Sequence, residues 1–281
     1  LPGLAASLTI PDFRSAGEPI DVPTALISDI HGNAEALRVV LADIETRGIA
    51  RIICLGDIVG YGPEPLTCVD LVRDRCEWSL IGNHDFAVLY EPTNFNPAAE
   101  ASAYWTRAQF ENEPDADLRA SRYAFLNALH VRVVETPPGG SEPMLAVHGS
   151  PRRPINEYVF PDDVINAVEK MRQLFERIDH VATVGHTHVP GVFTDEPDFY
   201  PPKELGGCSY TFSSDEKAII NVGSVGQPRD LDPRAAYAIL HEAESRIEFV
   251  RLEYDIDKTV RLINQTPELH GWLGERLYEG R

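Results

Sequence analysis

Thr24-Ala25-Leu26-Ile27-Ser28-Asp29-Ile30-His31-Gly32-Asn33 is the stretch of this 281-residue chain on which the fold turns. An apolar, β-prone run at 24–28 breaks abruptly into a polar, glycine-containing loop, as a buried strand does at its carboxyl end. Downstream, 34–47 carries apolar residues at Leu37, Val40, Leu41 and Ile44, the spacing of one helix face, and Gly48 is a stop. The cycle repeats. Residues 51–55 read as a strand ending in Gly56-Asp57-Ile58-Val59-Gly60-Tyr61-Gly62, and 63–75 as a helix. Then 78–81 read as a short strand entering Gly82-Asn83-His84-Asp85. Strand, helix, strand, helix, strand predicts an α/β fold with parallel strands and covering helices.

Beyond this core, 97–128 read as two helices forming a cap beside the site. Strands are expected at 130–134 and 144–148 and a helix at 161–177. The last third is strand-rich, at 181–184, 192–194, 209–212, 218–222, 235–240 and 247–252, with helices at 255–263 and 267–277. The Pro-, Gly- and acid-rich 194–216 read as a surface excursion or hairpin, and 1–23, with four prolines, as an irregular arm. No repeat or low-complexity linker divides 24–281, so one domain is expected.

Five short blocks place Asp, His or Asn at the ends of expected strands. They are Asp29-x-His31, Gly56-Asp57, Gly82-Asn83-His84-Asp85, His148-Gly149 and Gly185-His186-Thr187-His188. Ligands collect at this edge of an open α/β sheet. Imidazole, carboxylate and amide oxygen together suit borderline divalent ions such as manganese, iron, zinc, nickel or cobalt. Residues two apart on extended backbone share a face, so Asp29 with His31, and His186 with His188, are expected to point inward in pairs. Any one block alone reads more simply as a hydrogen-bonded turn or a satisfied core histidine. All five in order point to a shared metal site.

The ordered set D-x-H, G-D-x-x-G, G-N-H-D, H-G and G-H-T-H resembles the signature of calcineurin-like metallophosphoesterases. Residues 221–228, Asn-Val-Gly-Ser-Val-Gly-Gln-Pro, look like a further block of the bacterial branch. The resemblance implies two facing mixed β-sheets flanked by helices, a four-layer α/β/β/α sandwich. It implies one metal held by Asp29, His31, Asp57 and His188. The second is held by Asp57, Asn83, His148 and His186, with Asp57 bridging. Two such ions would polarise phosphoryl oxygens and activate a water for attack on phosphorus. By the same resemblance His84 protonates the leaving group or stabilises charge, and Asp85 is expected to fix the His84 tautomer. The second block lacks the Asp-Arg-Gly ending of protein Ser/Thr phosphatases, and Asp85 stands where those carry Glu, which argues against a protein substrate.

Arg152, Arg153 and Arg229 flank these blocks, and two readings stay open for them: bidentate contact with phosphate, or ordinary surface ion pairing. Tyr61, Phe86 and Tyr158 read as core or rim packing before base stacking, and Trp78 and Trp105 as packing. With 25 Lys and Arg against 44 Asp and Glu, the net charge is −19. A basic footprint for nucleic acid is missing, so small anionic phosphate esters or nucleotides are the expected partners and a nuclease is disfavoured. Cys54, Cys68, Cys76 and Cys208 form no C-x-x-C pair and read as reduced thiols of a soluble cytoplasmic protein, with no apolar run long enough to cross a membrane. The leading expectation is hydrolysis of a small phosphodiester or phosphomonoester. A nucleotide pyrophosphatase is the alternative, and an interaction scaffold, which predicts gaps in the blocks, the weakest.

Overall fold

The computed structural model describes residues 23–138, 140 and 142–281, so the arm expected at the N-terminus lies outside the described residues apart from Pro23. Among the described residues twelve strands divide into two six-stranded sheets. The first sheet contains β1 (Thr24–Ile27), β2 (Arg51–Cys54) and β3 (Trp78–Ser79), all parallel, as the opening repeat predicts. The second is built around β4 (Arg132–Glu135), β5 (Met144–Val147), β6 (Val181–Val184), β7 (Gly191–Thr194) and β8 (Asp198–Tyr200). The remaining strands are β9 (Ser209–Thr211), β10 (Ala218–Asn221), β11 (Ala235–His241) and β12 (Arg246–Leu252). The orders are β3-β2-β1-β11-β12-β9 and β4-β5-β6-β10-β7-β8.

The two-residue period of the strands sorts the core into layers. Leu26, Ile53 and Leu80 of the first sheet meet Met144, Ala146, Val181 and Ile220 of the second, filling the seam between the sheets. The alternate residues Ala25, Ile27, Ile52 and Cys54 turn outward and meet α1 (Ala34–Thr46) and α2 (Pro65–Arg75). On the far side Leu145, Val147, Ala182 and Ile219 meet Met171, Leu174 and Phe175. This is the four-layer α/β/β/α sandwich. Each fully buried Leu or Ile in these layers contributes about 1.5–3 kcal/mol of transfer free energy.

Some expectations are corrected. The loop expected at Gly82-Asn83-His84-Asp85 is the start of a helix, α3 (Asn83–Leu89), and the strand before it is only two residues long. Two helices do follow, α4 (Pro97–Glu111) and α5 (Ala116–Asn127). The single helix expected at 161–177 is two, α6 (Asp163–Asn166) and α7 (Val168–Phe175), with Ala167 at φ −141° between them. No residue of α6 is fully buried, and only Val164 packs against the core cluster of α7. The excursion at 194–216 supplies β8, which pairs with β7, and β9, which extends the other sheet beside β12. The chain closes with α8 (Ile256–Asn264) and α9 (Trp272–Glu279), whose apolar faces pack with Tyr61, Ala99 and Trp105. Among the described residues no helix is long and apolar enough to cross a membrane, and the four cysteines are free.

Candidate metal centre

Strands β1, β2, β5 and β6 and the start of α3 deliver the five blocks to one edge, where the loops leave ordinary backbone conformations. Asp29, His31, Asp57, His186 and His188 have φ of 53°, 51°, 53°, 66° and 61°, in the left-handed region. The expectation that Asp29/His31 and His186/His188 converge as extended pairs is therefore wrong in its route. The side chains do converge, but through left-handed turns, each of which costs about 1–3 kcal/mol. Tertiary contacts hold these turns. Ile30 and His31 N–H donate to the Asp57 carbonyl (2.9 and 3.0 Å), and Val225 and Gly226 N–H donate to Ser28 and Asp29 carbonyls (2.9 and 3.0 Å). Ser224 Oγ donates to the Asp29 carbonyl at 2.7 Å. Gly226 lies so close that a Cβ there would meet the Ile30 carbonyl oxygen at 1.7 Å. The 221–228 block thus holds the first ligand loop from behind.

The side chains form two groups that share Asp57: Asp29, His31, Asp57 and His188, and Asp57, His148 and His186. In the first, His31 Nδ1 donates to the Val59 carbonyl (3.2 Å) and His188 Nδ1 to the Gln227 carbonyl (2.6 Å). These bonds fix the tautomers and leave both Nε2 atoms as lone pairs. The two Nε2 atoms nevertheless lie 3.2 Å apart, and His188 Nε2 is 3.2 Å from Asp29 Oδ1. Burial holds both imidazoles below their ordinary pKa, so both rings are neutral. Two lone pairs facing each other beside carboxylates repel, and a cation among them reverses the sign.

The second group shows the same signature. His148 Nδ1 donates to the Leu55 carbonyl at 2.9 Å, directing Nε2 to within 3.3 Å of Asp57 Oδ2. Among the described residues His186 Nε2 and Asn83 Oδ1 are buried without a hydrogen-bond partner. Orphaned buried acceptors are costly unless something absent from the protein satisfies them. Burial opposes charge on His148, yet Asp57 lifts it to about 9, so a proton here competes with any cation. Burial takes His186 the other way, to about 3. The donor set fits a pair of borderline divalent ions, one per group, with Asn83 Oδ1 available to the second.

The expected contact between Asp85 and His84 is not formed among the described residues. The Asp85 carboxylate does not touch the His84 ring; it accepts from the backbone N–H of Asp57 (2.8 Å), Ile58 (2.9 Å), Val59 (3.2 Å) and Gly82 (3.0 Å). Asp85 is the third residue of α3, and its reach back to Gly82 is the acidic half of a capping box. Its role is to fasten the Asp57 loop to the start of α3. Glycine is required at 82, where a Cβ would come within 2.0 Å of Asp57 Oδ1. His84 Nδ1 is buried without a partner, and its ring packs against Tyr61, Phe95 and His31 with centroids 4.3, 4.6 and 4.8 Å away. Burial brings its pKa down to about 4.

A cavity of about 230 Å³ opens beside Asn83, His84 and His186, walled by Tyr61, Thr93, Asn94, Phe95, Asn96, Asn156 and Tyr158. Tyr158 stacks on the His186 ring at 3.8 Å and 12°. No motif marks residues 93–96 or Asn156, because their contribution is shape. Of the three arginines, Arg152 is held by Glu157 and by Gln173 (2.6 Å), an ion pair of the protein's own. Arg153 is exposed. Arg229 is at the site: it donates to Gln227 Oε1 (2.6 Å) and its Cζ lies 5.9 Å from the Tyr61 ring centroid. Phe86 packs against Tyr90 at a tilt, outside the residues that wall the cavity.

Comparison with known proteins identifies the family and the fold. The uncharacterized protein MJ0912 of Methanocaldococcus jannaschii is 41% identical over 262 residues, covering 92% of this chain and 98% of that one. The crystal structure of a metallophosphoesterase from Sphaerobacter thermophilus is 36% identical, with a TM-score of 0.75, covering 93% of this chain and all of that one. The hypothetical protein PH1004 of Pyrococcus horikoshii, 19% identical, shares the fold with a TM-score of 0.71, over 92% of this chain and 98% of that one. Residues 23–245 match the calcineurin-like phosphoesterase superfamily domain. A sandwich whose strand ends gather orphaned histidine and carboxylate donors, matched over most of its length, belongs to the calcineurin-like phosphoesterase superfamily.

Proposed function

We propose that this chain is a metal-dependent phosphoric ester hydrolase acting on a small phosphodiester or phosphomonoester. The observation that carries the reading is the pair of neutral imidazoles, His31 and His188, with Nε2 lone pairs 3.2 Å apart beside Asp29. A divalent cation among these donors makes that arrangement favourable. Bound in the two groups, divalent ions such as manganese, iron, zinc, nickel or cobalt supply Lewis-acid polarisation of phosphoryl oxygens and water of low pKa.

The chain's own residues do the rest. Asp57 belongs to both groups and fixes their spacing, and the Asp85 bonds to three successive N–H groups from Asp57 to Val59 keep it from moving. His84 stands at the cavity wall and hydrogen-bonds the leaving oxygen as charge develops there. Arg229 neutralises phosphoryl charge on the side away from the cavity. The 230 Å³ recess takes a leaving group of modest size, and a net charge of −19 disfavours long polyanions. The free thiols support a reducing, cytoplasmic location. A scaffold role has no support, since every donor position is filled.

Manganese-loaded protein assayed on p-nitrophenyl phosphate and bis-p-nitrophenyl phosphate tests the reading. Turnover of either ester that chelation abolishes and metal restores supports it, and the faster ester distinguishes phosphatase from phosphodiesterase. Turnover that survives exhaustive chelation overturns it.

A further inference from the structure

Two recesses away from the metal groups are lined by charge. One, beside Val189 and Pro190, carries Lys203, Arg229, Asp230, Asp232, Arg234 and Arg251. Another, along α7, carries Arg172, Glu176, Asp195 and Lys217. The recess beside Asn83, His84 and His186 differs. Charged residues make up 25% of the chain, yet no lysine, arginine, aspartate or glutamate lines it among the described residues. Its walls are amides, hydroxyls and aromatic rings, from Thr93, Asn94, Phe95, Asn96, Asn156 and Tyr158.

These walls are fixed from outside the recess. The segment 90–96 joins α3 to α4, and Arg107 of α4 grips its root. Arg107 Nε donates to the Val88 carbonyl (2.9 Å), and Nη2 to the carbonyls of Ala87 (2.8 Å) and Tyr90. At the far end Asn96 Oδ1 accepts from the Ala99 N–H at 3.0 Å and caps α4. The segment that carries Asn156 and Tyr158 is tied at its base. Gly149 N–H donates to the Pro154 carbonyl and Ser150 Oγ to Glu157 Oε2, both at 2.6 Å. Among the described residues these ties leave the amides of Asn94 and Asn156, and Nδ2 of Asn96, without a hydrogen-bond partner. A preset wall loses little freedom on binding, and its amides offer both donors and acceptors.

What leaves during hydrolysis differs between substrate classes. With an ester, water forms the new bond to phosphorus, the bond to the leaving oxygen breaks, and that oxygen takes a proton and departs as a neutral alcohol. With an anhydride, the leaving group is a phosphate that keeps its charge. In this recess such a phosphate would meet amides and ring edges with no cationic side chain among them, whereas a neutral alcohol exchanges its water hydrogen bonds for amide ones. We infer that the recess of Asn94, Phe95, Asn96 and Asn156 is a leaving-group subsite for an uncharged, hydrogen-bonding ring alcohol, of sugar or nucleoside type. At about 230 Å³ it lies below the range of drug-sized sites, which suits a body of about one or two rings. This rests on the hydrolase reading and deepens it: the substrate is an ester of such an alcohol, ahead of any phosphoanhydride.

The test has a binding arm and a kinetic arm. Calorimetric titration with adenosine and with glucose, both uncharged, should show binding of one of them and so tell a nucleoside from a sugar. Asn156→Leu should weaken that binding roughly tenfold, the effect of one hydrogen bond lost from the wall. In the kinetic arm, manganese-loaded protein should hydrolyse the matching monoester, adenosine 5′-phosphate or glucose 6-phosphate, with kcat/KM at least about tenfold above that for pyrophosphate. Asn156→Lys, which adds a cation to the wall, should shift that ratio towards pyrophosphate. Preference of the wild type for pyrophosphate, a ratio that Asn156→Lys does not move, or alcohol binding that Asn156→Leu does not weaken overturns the subsite. The two readings separate cleanly. Ester turnover without binding of either alcohol keeps the hydrolase and loses the subsite. Asn156-dependent alcohol binding by protein inert towards every ester keeps the subsite and loses the hydrolase.

Discussion

The two ligand groups share Asp57 yet are built differently. In the first, both imidazoles are pinned by main-chain carbonyls, of Val59 and Gln227, and the loop behind is held by Ser224 and Gly226. In the second, His148 is pinned by the Leu55 carbonyl, while His186 rests on the Tyr158 ring, which is 40% exposed at the mouth of the cavity. A cation in the first group is enclosed by preset donors. A cation in the second meets one face whose order depends on a surface aromatic. An ion in the first group should exchange slowly and one in the second quickly.

The largest way to break this contrast is to remove what the groups share. Asp57→Asn should take metal content, measured by elemental analysis, from about two ions per chain towards none and abolish chelator-sensitive turnover. Retention of one full ion would show that the first group stands without Asp57. Sharpening the contrast calls for Tyr158→Ala. An aromatic stack is worth about 0.5–1.5 kcal/mol, so affinity at the second group should fall up to roughly tenfold while the first is unchanged. Stepwise metal titration reads both at once, and equal weakening of the two would refute the asymmetry.

The smallest effect is in the metal-free protein's response to acid. Burial holds His84 at about 4 and His186 at about 3, below the ordinary 6.5. The unfolded chain then binds protons that the fold refuses, so their contribution is intact above about pH 6.5 and drains as pH falls towards 4. His148, lifted to about 9, works oppositely: its contribution is full below about 6.5 and is lost as pH rises through 9. Burial also lifts Asp85 to about 7, which offsets part of the loss on the acid side over the same range. Thermal melts of metal-free protein should therefore drop modestly between pH 6.5 and 4.5, and a clear rise would contradict the burial of these rings.

The same contrast runs through what was legible in the sequence. Strand-end donors could be read because each sits in a short block where polarity and glycine interrupt an apolar run, as at Ser28-Asp29 and Leu55-Gly56-Asp57. The continuous apolar run Ala25, Leu26 and Ile27 likewise foretold a strand, which the fold buries on both faces. The geometry that joins the blocks could not be read. Left-handed backbone at Asp29 and His31 leaves no mark in residue type, since aspartate and histidine are equally at home in extended chain. Asp85 was visible as an acid beside His84, but an acid three residues past a glycine also reads as a helix cap, and the cap is what the fold uses. Residues 93–96 and Asn156 come from segments with no local signal, because tertiary packing alone brings them to the site.

The left-handed turns have a consequence for the chain's history and its engineering. At Asp29, His31, Asp57, His186 and His188 a glycine would relax the backbone. A search for heat resistance, run without metal and blind to turnover, would drift towards glycine there and dismantle the centre one tolerated step at a time. Thermostable variants of this scaffold should be selected on the metal-loaded form, where the same five positions become the ones least free to change.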